Sequence, residues 1–164
     1  QSLQVLATVA NKGVRVAPRV IDGWIDADGK ETPQTRPEGV RVISEATATT
    51  LTEMLIGVTQ EGGTAEAASI NGYLVAGKTG TTEILTDDST VASFVGFLPA
   101  RDPVLAIAVI VYRPEGIFGG TVAAPAFREV ALAAMQALNI APDPSVVAAQ
   151  AARNGAGGER DASQ

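Results

Sequence analysis

The stretch Ala76-Gly77-Lys78-Thr79-Gly80-Thr81-Thr82-Glu83 decides how the rest of the sequence is interpreted. It continues a short apolar run, Tyr73-Leu74-Val75-Ala76, which is typical of a strand. Because side chains alternate along a strand, Thr79 and Thr81 are predicted to share one face. Lys78 adds positive potential beside these two hydroxyl groups. The stretch therefore predicts a receptor for a carboxylate on a strand edge.

Two further residues of this stretch suit a peptide ligand. Gly80 has no side chain, so a ligand backbone can approach closely and pair with the strand. An outward backbone N–H at Thr81 is suited to donate to a developing oxyanion. Taken alone, the four residues Lys78-Thr79-Gly80-Thr81 have an alternative interpretation, a solvated strand end in which the threonines occur by chance.

Apolar periodicity predicts the elements around this strand. Helices are expected over residues 3–10, from Ser44 with an apolar face of Leu51, Met54, Leu55 and Val58, and in the last third of the chain. Strands are expected over 14–25, 91–98 and 104–112, with a turn at Asp28-Gly29 and a loop over 32–39. The 104–112 run is apolar at nearly every position, which predicts a strand covered on both faces. The last helix should bury a stripe at 3.6-residue spacing, with Pro125 in its first turn: Phe127, Val130, Ala131, Ala134, Met135 and Leu138.

This order of elements predicts an α+β fold, an antiparallel sheet flanked by helices. Residues 1–141 are predicted to form the folded part. From residue 142 onward the composition shifts to Ala, Gly, Pro, Asp and Ser, which predicts a flexible tail over 142–164.

Composition excludes several kinds of chemistry. The sequence contains no histidine and no cysteine, so it holds neither a Ser-His-Asp triad nor a thiol nucleophile. Its formal net charge of -6 argues against a nucleic-acid partner. The acidic pairs Asp26 with Asp28, and Asp87-Asp88, fit solvated loops better than metal sites, and Trp24 fits packing better than ligand binding.

The central stretch resembles the Lys-Thr-Gly motif of penicillin-binding proteins and serine β-lactamases. Its extension through Thr81, Thr82 and Glu83 looks like the third motif of class B transpeptidases. Three other segments are similar to that family in the same order: residues 3–13, 92–99 and 119–127. The resemblance covers about residues 1–141 and implies the C-terminal part of a penicillin-binding transpeptidase domain.

In that family, a serine attacks the D-Ala-D-Ala bond of a peptidoglycan stem peptide, and the acyl-enzyme is resolved by the amine of a second stem peptide. The resemblance implies that Lys78 shapes the electrostatics and assists proton transfer. It also implies that Thr79 and Thr81 bind the terminal carboxylate of the donor peptide, or the carboxylate of a β-lactam. The backbone N–H of Thr81 would form half of the oxyanion hole. Gly80, Thr82 and Glu83 would continue the strand beside the substrate, with no cofactor and no metal.

The sequence departs from the family in one respect. The family needs a Ser-x-x-Lys, whose serine is acylated and whose lysine is its base. The lysines here are Lys12, Lys30 and Lys78, and none has a serine three residues before it. The nucleophile is therefore expected upstream, in the other half of the domain, and this chain alone is predicted to be inactive. Ser69-Ile70-Asn71 fits the family's Ser-x-Asn pattern but stands too close to Lys78, so it is interpreted as a chance match.

The resemblance also implies a place in the cell. The parent protein is expected in the bacterial cell membrane, with its catalytic domain on the extracytoplasmic side and its anchor outside this sequence. Division or elongation machinery is the expected protein partner. Two alternatives stay open: a non-catalytic module that binds peptide carboxylates, and a related β-lactamase or D,D-carboxypeptidase.

Overall fold

The computed structural model describes residues 1–85, 87, 89–115 and 118–161, the last eight of them by their backbone alone. Four helices and seven strands follow one another along these residues. In chain order they are α1 Ser2–Ala10, β1 Val14–Arg15, β2 Gly23–Ile25, β3 Glu31–Pro33, β4 Val40–Arg41, α2 Glu45–Gly57, β5 Ala76–Ile84, β6 Ser89–Leu98, β7 Leu105–Tyr112, α3 Gly119–Ala137 and α4 Pro144–Asp161. A 3₁₀ turn at Glu66–Ala68 lies between α2 and β5.

The three long strands form an antiparallel sheet in the order β5-β6-β7. Gly80 lies opposite Ser93 in β6, and Phe94 lies opposite Val109 in β7. In the described part of the chain no strand pairs with the outer edge of β5, which we call the free edge. The predicted α+β class, an antiparallel sheet with helices, is confirmed.

The sheet carries a hydrophobic core on each face because its side chains alternate. On one face, α3 packs against β6, and the Phe94 and Phe127 rings meet edge to face with centroids 4.7 Å apart. On the other face, Phe97 and Ala76 are buried in a cluster with Val9 of α1 and Ile56 of α2. We call these the α3 face and the α1/α2 face. The sheet is thus the middle of three layers.

The segment between α1 and α2 differs from the prediction. The single strand expected over 14–25 is divided into β1 and β2, which belong to separate two-stranded sheets. Pro18 interrupts the apolar run, and proline cannot donate to a strand ladder. The second small sheet uses β3, in a region predicted mostly as loop. Trp24 in β2 is 61% exposed, so its interpretation as a packed residue is wrong in this chain.

Helix α2 starts as predicted but buries a different face. Ser44 caps it, since its hydroxyl oxygen accepts a hydrogen bond from the Thr47 N–H at 3.0 Å. The buried residues of the helix are Ala48, Thr52 and Ile56, whereas Leu51 and Met54 are exposed. The predicted apolar stripe is therefore only partly used. Ile56 is the residue of this face that joins the core cluster with Ala76 and Phe97 of the sheet.

The predicted burial of α3 and β7 is also partly wrong. Phe127, Ala131 and Met135 are fully buried on α3, but Val130 and Leu138 are exposed. The helix begins at Gly119, six residues before Pro125, so the proline lies inside it and not in the first turn. On β7, Ile110 is 65% exposed, so that strand is not covered on both faces by the described residues.

Residues 144–161, predicted as part of a flexible tail, form helix α4. Its first half contacts the loop that precedes β5, through Gln150. Mobility of this tail stays a prediction, but its local structure is helical and not irregular. Among the helices of the described residues, none has the length and apolar character needed to cross a bilayer.

Candidate active-site strand

Strand β5 places the predicted site residues along the free edge of the sheet. Ala76 and Gly77 at its start are buried, whereas the residues from Lys78 onward are exposed or half-buried. Because only one edge of β5 pairs with β6, alternate backbone N–H and C=O groups point away from the sheet at the other edge. This edge can therefore pair with an extended peptide.

Lys78 and Thr79 meet at this edge from opposite faces of the sheet. The Lys78 side chain starts on the α1/α2 face of the strand. Its ammonium group, Nζ, lies 3.1 Å from the Thr79 carbonyl oxygen. The same Nζ lies 3.2 Å from the Thr79 hydroxyl oxygen, which is on the α3 face. The Lys78 side chain is exposed and Thr79 is half-buried. A positive charge and a hydroxyl group are thus presented together, as recognition of a carboxylate requires.

Thr79 and Thr81 lie on the same face, where both meet the beginning of α3. The Thr81 hydroxyl oxygen accepts a hydrogen bond from the Gly119 N–H at 3.3 Å. Gly119 is the first residue of α3, and its N–H has no partner within the helix. Thr81 therefore caps α3, while its own O–H remains available to donate. The positive end of the helix dipole lies beside the two threonines.

Two glycines make this approach of helix to strand possible. A Cβ atom on Gly119 would lie 2.6 Å from the Gly80 carbonyl oxygen, and one on Gly120 would overlap the carbonyl oxygen of Thr64. A side chain at position 119 would push the helix away from the sheet, and one at position 120 would push it away from the link that contains Thr64. The sequence places Gly119-Gly120 in a loop before the last helix and in a segment that resembles the family, and neither observation predicts these close contacts; the structure has both glycines in the first turn of α3.

Thr64 is a site residue that the sequence analysis missed. Its hydroxyl oxygen lies 3.4 Å from that of Thr79, and it is exposed. The residue lies in the irregular link between α2 and β5, where no periodicity distinguishes it from its neighbours. Only the folded chain brings it next to β5, across 15 residues of sequence. The free edge is therefore flanked by three threonines and one lysine.

Gly80 has a role within the sheet in addition to the predicted one. It pairs with Ser93 in β6, and a Cβ atom on Gly80 would lie 2.5 Å from the Ser93 hydroxyl oxygen. That hydroxyl donates to the Gly80 carbonyl oxygen at 3.3 Å. A Cβ atom at position 80 would therefore displace the Ser93 hydroxyl from this hydrogen bond.

The remaining predicted site residues lie toward the end of β5. Thr82 and Glu83 are exposed and follow the strand toward its hairpin with β6. Near this hairpin the Asp87 carboxylate forms an ion pair with Arg113. Asp88 lies outside the described residues. Across the described ranges, no group of three or more acidic side chains is placed to hold a metal ion.

Ser69 is not part of the strand. It follows the 3₁₀ turn and is half-buried, in the loop that connects to β5 and contacts α4. The Asp26 carboxylate accepts hydrogen bonds from the N–H groups of Asp28 and Lys30. Its oxygens are used within a turn, as a solvated loop predicts. Neither feature joins the candidate site.

An ion pair lies at the end of the sheet where β6 finishes, away from Thr82 and Glu83. Arg101, which follows β6, contacts Glu53 of α2 at 3.1 Å. The hydrogen bond to Glu53 raises the pKa of the Arg101 guanidinium, and the negative charge of Glu53 raises it further. Both side chains are largely exposed, so the pair orients α2 more than it stabilises the fold.

Comparison with known proteins places this arrangement in a family. Residues 1–132 match the family model of the penicillin binding protein transpeptidase domain. The chain belongs to this family, as the C-terminal part of a class B penicillin-binding protein transpeptidase domain.

Individual relatives agree with this assignment. The chain is 40% identical to penicillin-binding protein PbpB of Mycolicibacterium smegmatis over 162 aligned residues, covering 88% of this chain and 25% of that protein. It is 37% identical to the probable peptidoglycan D,D-transpeptidase PenA of Neisseria flavescens, covering 74% of this chain and 32% of that protein. The crystal structure of penicillin binding protein 3 from Mycobacterium tuberculosis, complexed with ampicillin, superposes with a TM-score of 0.79 at 33% identity. That match covers 87% of this chain and 35% of the other. The chain thus spans about a quarter to a third of the length of these relatives.

Proposed function

We propose that the complete protein is a D,D-transpeptidase that cross-links peptidoglycan stem peptides through a serine acyl-enzyme. In this proposal the present chain supplies the substrate-binding strand and one wall of the cleft. The nucleophilic serine and its lysine base belong to the part of the domain that precedes this sequence. The relative named above as a probable peptidoglycan D,D-transpeptidase supports the reaction class.

The observation that carries the proposal is the meeting of Lys78 and Thr79 at the free edge of β5. An edge strand can pair with the extended backbone of a stem peptide, while the ammonium group and the hydroxyl group bind its terminal carboxylate. Thr81 adds a second hydroxyl on the same face as Thr79, and its backbone N–H is proposed for the oxyanion hole. Thr82 and Glu83 continue the strand beside the substrate.

The proposed reaction has two covalent steps. The serine oxygen attacks the carbonyl carbon between the two D-alanines, and its proton passes to the lysine base of the Ser-x-x-Lys. The carbon–nitrogen bond then breaks, the terminal D-alanine takes that proton from the lysine and leaves as a free amine, and an ester to serine remains. The amine of a second stem peptide attacks this ester, forms the new amide bond and returns the proton to serine. Lys78 assists these proton transfers through its charge.

This chain alone is proposed to be inactive because none of its lysines follows a serine at the spacing of Ser-x-x-Lys. β-Lactams are proposed as covalent inhibitors of the complete enzyme, since they present a carboxylate beside a reactive amide. An extracytoplasmic position at the bacterial cell membrane and a partnership with division or elongation machinery belong to the same proposal. Both rest on the family alone.

Intact mass after incubation with a penicillin tests the proposal. The complete protein should gain the mass of one penicillin, and peptide mapping should place it on a serine upstream of this chain. The present chain alone should gain none. An adduct on Ser69 would overturn the assignment of the nucleophile, and no adduct on the complete protein would favour a non-catalytic binding module. Rapid loss of the adduct by hydrolysis would favour a β-lactamase or carboxypeptidase.

A further inference from the structure

We propose that Gln150 on α4 is a positioning residue for the active-site strand, acting through the loop that leads into β5. This inference rests on the proposed function, because its effect is measured on the acylation of the complete enzyme. Gln150 lies beyond residue 132, where the family match ends.

The Gln150 side chain forms two hydrogen bonds with the loop backbone. Its carbonyl oxygen, Oε1, accepts from the Gly72 N–H at 2.8 Å, and its Nε2 donates to the Ile70 carbonyl oxygen at 3.1 Å. The side chain amide thus replaces a strand partner for this short stretch. Only a side chain with both a donor and an acceptor at this length satisfies both groups.

The segment between α3 and α4 holds the same loop at two more points. The Tyr73 hydroxyl donates to the Ile140 carbonyl oxygen at 2.6 Å, and the Asp143 N–H donates to the Gly72 carbonyl oxygen at 2.9 Å. Both backbone groups of Gly72 are therefore bound to the C-terminal segment. We call this set of contacts the C-terminal clamp; it consists of Tyr73 with Ile140, and of Gly72 and Ile70 with Asp143 and Gln150.

Gly72 is shaped to fit the clamp. Its φ of +81° is a conformation that other residues rarely adopt. A Cβ atom at this position would overlap the Pro142 ring and lie 3.2 Å from a methyl group of Val147. The loop and the C-terminal segment therefore fit closely only with glycine at position 72.

The clamp is connected to β5 by a short buried stretch. Tyr73 and Val75 are buried, and the Thr59 hydroxyl donates to the Val75 carbonyl oxygen at 2.8 Å. The Leu74 carbonyl oxygen accepts from the Ala100 N–H at 2.8 Å. Every residue from Tyr73 to Val75 is thus held from outside the loop. Lys78 follows three residues later, so a shift of the clamped loop displaces the strand on which it lies.

In the proposed function, the position of β5 sets the distance between the Thr81 backbone N–H, which belongs to the oxyanion hole, and the serine on the other half of the domain. A displacement of about 1 Å at a reacting centre can cost about 100-fold in rate. We therefore expect the clamp to act on the acylation step more than on the initial binding of the β-lactam.

The test uses the complete protein and a fluorescent penicillin, with acylation followed by stopped flow. Gln150→Leu removes both hydrogen bonds while keeping most of the side-chain volume. Gln136→Leu is the matched control, because Gln136 is an exposed residue of α3. Ile107→Val controls for lost stability, since Ile107 lies on β7, packs against the same core cluster as Tyr73 and Val75, and forms none of the hydrogen bonds of the clamp. Gly72→Ala tests the clamp from the other side.

Gln150→Leu and Gly72→Ala should each slow the acylation rate constant by about 5-fold or more, with the dissociation constant of the initial complex changed less than about 2-fold. Backbone amides of residues 73–81 should exchange hydrogen faster in both variants, while Gln136→Leu and Ile107→Val leave both measurements within about 2-fold. If penicillin acylates the wild-type protein and acylates Gln150→Leu at the same rate, the positioning role alone is overturned. A wild-type protein that no penicillin acylates would instead overturn the proposed function. Gly72→Ala is judged only if its melting temperature stays near that of Ile107→Val, and Gln150→Leu decides the matter in any case.

Discussion

Lys78 and Thr79 are neighbours in sequence whose side chains leave opposite faces of the sheet, yet they meet at its edge. This is possible because a lysine chain is long enough to reach around the strand and place its Nζ beside the Thr79 hydroxyl. The Thr79 hydroxyl oxygen lies 3.4 Å from that of Thr64 in the link before β5, whereas the ammonium group is exposed and can move toward a ligand. Charge and hydrogen-bond geometry thus come from different layers of the fold.

Replacing Lys78 should affect the chemistry and not the fold. In the complete protein, Lys78→Ala should lower the second-order rate of penicillin acylation by about 100-fold or more, because it removes the positive charge and a proton-transfer group from the edge. Lys30→Ala, in the exposed turn after β2, is the control and should leave the rate unchanged. The measurement is stopped-flow acylation at a temperature well below unfolding. A reduction of less than 3-fold would remove Lys78 from the site.

A second prediction concerns the glycine at the start of α3. Gly120→Ala should lower the free energy of unfolding by about 1–3 kcal/mol, because the added methyl group would overlap the Thr64 backbone. Gly57→Ala is the matched control, since nothing lies within 4 Å of a Cβ atom at the end of α2. There the substitution should be neutral or stabilising by up to about 1 kcal/mol. Urea unfolding of the complete protein measures both, and equal effects at the two positions would contradict the close packing of α3 on the Thr64 backbone.

The residues of the site were predictable from sequence only where they are consecutive. Lys78, Thr79 and Thr81 share one strand, so alternation alone indicates their faces. Thr64 and Gly119 reach the site through contacts with β5 that span 15 and 38 residues, and no local pattern encodes such contacts. The family resemblance named the segment around Gly119 without giving its physical role.

At the scale of elements, prediction succeeded where burial is dense. Strands β6 and β7 were found within two residues of their bounds because their apolar runs are continuous. Apolar periodicity did not indicate the helical structure of α4, whose contacts with the loop include hydrogen bonds from Gln150. It also failed for the small sheets of β1 to β4, whose strands are two or three residues long and almost entirely exposed. Hydrophobic periodicity registers neither kind of element.

The beginning of α4 should respond to acid. Hydrogen bonds from the Ser145 hydroxyl and then from the Ser145 N–H lower the pKa of Asp143. A lowered pKa in the folded state means that the stabilisation is present above the ordinary aspartate pKa and is lost as pH falls through the folded-state value. The α4 helix should therefore loosen at strongly acidic pH and hold at neutral pH.

Hydrogen exchange over residues 145–153 measures this effect in the complete protein. Asp143→Ala should speed exchange relative to wild type at neutral pH, because it removes the cap of α4. The difference between the two proteins should shrink below the usual titration range of aspartate, where the wild-type carboxylate is protonated too. Asp102→Ala, in the turn between β6 and β7, is the control. A difference that stays constant into strong acid would show that the carboxylate charge is not what stabilises the helix.

The whole molecule has an uneven surface for a three-layer fold. The α3 face of the sheet is well covered, with Phe94, Phe127 and Met135 fully buried. On the other face, α1 and α2 cover Phe97 but leave Ile110 and Tyr112 of β7 exposed. The sequence predicts that β7 is covered on both faces, and the described residues cover it on only one along its second half. Since the aligned parts make up only 25% and 32% of these two relatives, we expect the rest of the domain to cover this face.

This argument leads to a prediction about Ile110. In the complete protein, Ile110→Lys should lower the free energy of unfolding by about 2–3 kcal/mol, because it would place a charge where the rest of the domain packs an apolar side chain. Val130→Lys on α3 is the matched control, because Val130 and Ile110 are exposed to similar extents in this chain, 53% for Val130 and 65% for Ile110. Chemical unfolding of both variants decides the question. If Ile110→Lys is as harmless as Val130→Lys, the outer face of β7 is open to solvent in the complete protein, and its apolar run needs another explanation than burial against the rest of the domain.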